Sequence, residues 1–173
     1  AADQTFVQLL PSAPTSMDPA KSSRVDDDRV MWLIYDALTQ LSPAGTQMLP
    51  ALAERWEVSK DCRTFTFHLR PGVKFHNGRA LKASDFVYSM NRALQPETRS
   101  AVAMTYLNDI VGAADVASGK TKEAKGLAAP DDRVMEPAAL DRPLASVVEG
   151  INRWRDRFPN RMFRSLSEFM STP

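Results

Sequence analysis

The sequence is poor in the residues from which reactive centres are built. It has one cysteine, Cys62, and two histidines, His68 and His76. A lone cysteine excludes an internal disulfide and leaves no thiolate set for zinc. The histidines fall in no HxxxH or HExxH spacing, so they carry no metal-ligand pattern. Seven glycines form neither a GxSxG elbow nor a Rossmann fingerprint. Gly119-Lys120-Thr121 is a faint phosphate-loop echo, but Ala114 stands where the earlier glycine belongs and no buried strand precedes it. No apolar run approaches the ~20 residues of a membrane helix. A formal net charge of +1 argues against a global attraction to nucleic acid. These absences predict a protein that is not an enzyme and that uses no cofactor and no metal.

What is present is a well-patterned fold. A chain of 173 residues that is 43% hydrophobic can bury a core. The clearest stretch runs from Ala51 to Leu94. Thr64 to Arg70 alternates, with Phe65, Phe67 and Leu69 on one side and Thr64, Thr66, His68 and Arg70 on the other, the period of a strand with one buried face. Pro71-Gly72 turns the chain, Val73-Lys74-Phe75 resumes the alternation, and His76-Asn77-Gly78 turns it again. From Ala83 the period becomes helical, with Phe86, Val87, Met90, Ala93 and Leu94 on one stripe. Lys82 sits where a capping Ser or Thr belongs, leaving Ser84 or Asp85 to do part of that work.

Before this unit, Thr5–Leu10 reads as a short strand, and Pro14 and Pro19 bracket a shaped loop. Asp26, Asp27 and Asp28 then open a helix with apolar positions Val30, Met31, Ile34, Tyr35 and Leu38. Calcium would need ligands spaced along an irregular glycine-containing loop, so the three carboxylates read as complements to the helix dipole. Trp56 reads as a core anchor. After the unit, Ala101–Ile110 and Val111–Val116 suit short helices, and Ser118–Glu123 a solvated loop. Arg133–Glu136 suits a strand that Pro137 makes either short or peripheral. Pro143–Phe158 is amphipathic, with Leu144, Val147, Val148, Ile151, Trp154 and Phe158 at helical spacing and a cluster of arginines nearby. That basic tail suits a solvated face or a partner-docking helix. Ala1-Ala2-Asp3 reads as the stub left by cleavage at a small-residue site, which implies export; a trimmed chain looks the same.

Taken in order, the segments Met17-Asp18-Pro19, Leu49–Val58, Thr64–Arg70, Gly72–Gly78, Ala83–Ser89, Asn108–Ala113 and Ala129–Asp132 resemble the solute-binding proteins of bacterial peptide-type ABC importers, the oligopeptide- and dipeptide-binding family, extracellular solute-binding family 5. The resemblance implies an α+β fold: a small antiparallel sheet with helices packed on one face, like the N-terminal part of a two-lobed periplasmic binding protein. It implies a sheet of Trp56–Val58, Thr64–Arg70, Val73–Phe75 and Arg133–Glu136. Family members are about three times longer, so the chain looks truncated. It divides into residues 1–45 (first strand, loop and helix of lobe I), 46–148 (an accessory α+β subdomain) and 149–173 (an atypical basic tail), with no family likeness after about Val148.

The resemblance also implies a function: the periplasmic substrate-binding component of an ABC importer, exported with its signal peptide removed. Such a component captures a peptide or similar small solute and delivers it to a membrane permease, as a monomer and without nucleic acid. By position after Asp18-Pro19, its ligand-binding residues are Ser22, Ser23, Arg24 and Val25, with Tyr106 as a ligand-facing aromatic. Two alternatives stand beside it: a non-functional truncated remnant, and an adaptor that docks a partner through its basic C-terminal helix.

Overall fold

The computed structural model describes residues 7, 9–43, 47–137 and 140. Half of the Thr5–Leu10 run, the Ala44-Gly45 part of the loop after Pro43, and the whole amphipathic tail lie outside the described residues.

The first helix, α1 (Val25–Ile34), carries Asp26, Asp27 and Asp28 in its first turn. It stops at Tyr35, which is extended at φ −122° and ψ 148°, so the expected stripe through Leu38 is cut short. A small hairpin follows, β1 (Thr39–Leu41) against β2 (Met48–Pro50). Four further strands make an antiparallel sheet in the order β3 (Ala53–Val58), β4 (Phe65–Leu69), β6 (Val134–Pro137) and β5 (Leu127–Ala128). The architecture is α+β, small antiparallel sheets with helices.

Alternation in β4 works as its sequence requires: Phe65 and Leu69 are buried, at 8% and 2% exposure. Phe67 pairs with Trp56 on one side and Met135 on the other. Trp56 is half-buried, its ring 6.5 Å from that of Phe67, so it closes the margin of the core. The opposite face is solvated and carries Arg55, Glu57 and His68. There His68 Nε2 lies 3.1 Å from Glu57, and Arg55, then His68, hold the Glu57 carboxyl below its usual range.

One expectation about the sheet is corrected. Val73–Phe75 is not one of its strands: Lys74 bridges Ala80 across the His76–Gly78 turn, in a separate loop closed by Phe75 N–H to Arg79 and Leu81 N–H to Val73. The fourth strand is instead β5, two residues long. Of the two possibilities for β6, short or peripheral, it is the short one: four residues, lying inside the sheet between β4 and β5. Pro137 stands opposite Leu127 at the end of the ladder, where a missing N–H does least harm.

Helix α2 (Ala83–Leu94) lies on the buried face, with Phe86, Val87, Met90 and Ala93 packed on a cluster of Leu69, Leu94, Val116, Leu127 and Met135. Its start is secured from inside: the Asp85 carboxylate accepts the Lys82 N–H at 2.8 Å. Helices α3 (Ala103–Leu107) and α4 (Ala113–Ala117) complete the layer. Gly119 ends α4 in a left-handed turn, φ +76°, with Gly119 N–H on Val116 and Lys120 N–H on Asp115. The glycine of the phosphate-loop echo is therefore a helix terminator.

Candidate functional site

The loop from Ser12 to Arg24 is tied by hydrogen bonds at several points along its length. Asp18 organises its centre. Its backbone carbonyl accepts the N–H groups of Lys21 and Ser22, and its carboxylate accepts the Ala20 N–H. Both carboxylate oxygens also receive the guanidinium of Arg92, at 2.9 and 2.5 Å, across 74 residues of sequence. This two-pronged pair anchors the loop to α2. Arg92 holds the Asp18 carboxyl at about 2, with the Ala20 N–H assisting and partial burial opposing; Arg92 is itself raised.

Each of the three aspartates after the loop grips a hydroxyl within it. Ser12 Oγ donates to Asp26 at 2.7 Å, and Ser22 Oγ donates to Asp28 at 3.0 Å. Thr15 donates twice to Asp27, from N–H at 2.7 Å and from Oγ1 at 2.8 Å. Asp27 is only 1% exposed. The Thr15 N–H, more than any other neighbour, keeps its carboxyl below the usual range against the effect of burial. The aspartates do stand where the helix dipole favours them, but their hydrogen bonds hold the preceding loop. That role has no signature in the sequence beyond the nearby Ser and Thr residues.

The structure places the expected ligand residues as follows. Ser22 is buried at 5% exposure with its hydroxyl committed to Asp28. Ser23, Arg24 and Val25 are exposed. The Arg24 guanidinium reaches Ser12 Oγ at 2.8 Å. No side chain caps α1, and among the described residues no hydrogen bond takes up the N–H of Ser23, Arg24 or Val25. Those of Arg24 and Val25 are orphan donors of a helix start. Tyr106 stands on α3, 77% exposed, and no hydrogen bond among the described residues joins it to this loop.

The family model described as "Bacterial extracellular solute-binding proteins, family 5 Middle" matches residues 47–137. The chain belongs to this family. It is 32% identical over 149 residues to the probable deoxycholate-binding periplasmic protein YgiS of Escherichia coli, which covers 83% of this chain and 27% of YgiS. Among solved structures, the Escherichia coli murein tripeptide binding protein MppA superposes with a TM-score of 0.70 at 32% identity, over 78% of this chain and 26% of MppA. Haemophilus influenzae OppA in complex with RPPGFSPFR gives 0.69 at 33% identity, over 75% of this chain and 25% of OppA. The chain thus spans about a quarter of the length of the relatives it matches.

Proposed function

We propose that this chain is the ligand-gripping N-terminal part of a periplasmic substrate-binding component of an ABC importer, with a peptide as ligand and a membrane permease as partner. One observation supports the reading: among the described residues the N–H groups of Ser23, Arg24 and Val25 find no partner, on a loop that Asp18–Arg92 and Ser22–Asp28 hold in place. Donors of this kind bind an extended main chain whatever its side chains. Ser22 serves by positioning, and the exposed ring of Tyr106 is assigned to a ligand side chain. Residues 46–148, which enclose the family match at 47–137, are taken as the accessory subdomain and residues 1–45 as a piece of a lobe. The family's binding role supports a non-enzymatic function.

A second reading is favoured by the apolar surface of residues 25–41. Val25, Trp32, Leu33, Tyr35 and Leu41 are 50% to 81% exposed, a run of exposed apolar side chains of the kind that a further part of a larger protein would cover. On that reading the chain folds but grips no peptide by itself. Calorimetry with a mixture of di- and oligopeptides separates the two. Binding heat at micromolar peptide supports the receptor reading; no heat from a chain with a folded circular-dichroism spectrum defeats it and leaves the second.

A further inference from the structure

A different part of the molecule, remote in sequence from the loop, concentrates positive charge around a concavity. A groove of about 190 Å³ lies between the Arg70–Lys74 turn and the Ala80–Lys82 segment. Its lining includes four cationic residues, Arg70, Lys74, Lys82 and Arg133, and one acid, Asp132. Counting Glu54, which pairs with Arg133, two net positive charges sit at one groove in a chain whose total is +1. Its apolar wall is made by Val73 and Leu81.

Two of the cations are fixed and two are unspent. Arg133 donates from Nε and Nη2 to the Leu69 carbonyl at 3.2 and 3.0 Å, and reaches Glu54 at 3.3 Å. Lys82 Nζ lies 3.0 Å from Asp132, whose side chain is itself 70% exposed. Arg70 and Lys74 have no ion pair among the described residues. The backbone beneath them is held by Arg70 N–H to Leu52 and Leu81 N–H to Val73. At the α2 start beside the groove the Ala83 N–H is taken by the Asp132 carbonyl and the Lys82 N–H by the Asp85 carboxylate, so the charged side chains are the groove's main means of meeting a ligand.

We propose that this groove binds a phosphate-type oxyanion. A guanidinium presents a planar fork that matches two phosphate oxygens, and a lysine adds a mobile point charge. Arg70 and Lys74 close on the anion from the open side while Lys82 and Arg133 form its fixed floor. The volume admits one phosphate group, with its apolar substituent, if any, against Val73 and Leu81. The source is either a free phosphate or a phospholipid headgroup, since both present the same group.

The test uses the full chain, isotope-labelled, titrated with inorganic phosphate against sodium chloride at matched ionic strength. The amides of Gly72, Val73 and Leu81 are the reporters. Expected are saturable shifts at millimolar phosphate that chloride does not reproduce. The double variant Arg70→Gln/Lys74→Gln weakens them at least tenfold, and Lys60→Gln in the distant Ser59–Thr64 turn does not. A parallel arm compares sedimentation with phosphatidylglycerol and phosphatidylcholine vesicles. Binding to the former alone, lost in the double variant, identifies the headgroup; phosphate shifts without vesicle binding identify the free anion. Equal shifts with chloride, an equal response in the double variant, or no response in either arm overturns the proposal. The wild-type comparison of phosphate with chloride decides the matter even if the double variant fails to fold.

Discussion

Replacing Asp18 by Asn isolates the charge that joins the loop to α2. The amide keeps an oxygen for the Ala20 N–H, so the local turn survives while the ion pair with Arg92 is lost. The Asp18 carboxyl falls from 3.8 to about 2 on folding. At about 1.4 kcal/mol per pKa unit, that corresponds to about 2 kcal/mol of linked stability. The two side chains are 27% and 37% exposed, so solvent screens part of it, and about 1 kcal/mol is the expected loss. Because the folded-state value is depressed, the contribution is complete above pH 4 and disappears as pH falls from 3.8 towards 2. Urea unfolding at neutral pH should show the variant about 1 kcal/mol less stable, with the gap closing towards pH 2. Arg92→Lys alone should lose part of the same stability, since an ammonium keeps the charge but cannot make the fork. Equal stability of Asp18→Asn and wild type at neutral pH, or a gap that persists unchanged at pH 2, would refute the reasoning.

Other outcomes follow from single positions. Gly112 has φ +86°, and a Cβ there would lie 2.9 Å from the Lys125 nitrogen; Gly112→Ala should lower stability by about 1–3 kcal/mol, read by thermal unfolding. The buried Asn91 accepts the Ala124 N–H at 2.8 Å. Asn91→Leu strands that donor and should cost about 1–3 kcal/mol in urea unfolding, and a variant as stable as wild type would contradict the assignment. Trp32 is 81% exposed, so Trp32→Lys should change stability by less than about 0.5 kcal/mol while raising solubility, measured as the concentration at the onset of precipitation.

Local patterns were legible and long-range partnerships were not. The β4 alternation and the α2 stripe appear in the sequence because each element shows one face to the core and repeats at its own period. β5 has only Leu127 and Ala128, too few residues for any period to show. β6 is interior because its other edge finds β5, and Pro137 taken alone says nothing of that neighbour. Val73–Phe75 alternates like a strand, yet the turn at His76–Gly78 pairs it with Ala80 before the sheet can claim it. At the candidate site the Asp-Pro loop was legible, through family likeness. Arg92 was not, since it lies 74 residues from Asp18 on the polar side of an ordinary amphipathic helix. Thr15 and Ser12 likewise become visible only once the loop has folded back on the three aspartates.

The attachment of the first helix has a consequence for how the molecule comes apart. The Asp18–Arg92 pair ties the 9–34 segment to α2, the Tyr35 hydroxyl donates to the Met17 carbonyl at 3.0 Å, and α1 buries only Asp27 and Met31. Such a segment opens as a cooperative unit well before global unfolding. Amides of residues 28–34 should exchange with solvent earlier than those of β4 and α2. A protease specific for arginine should nick the chain first at Arg24 or Arg29, leaving the sheet domain intact.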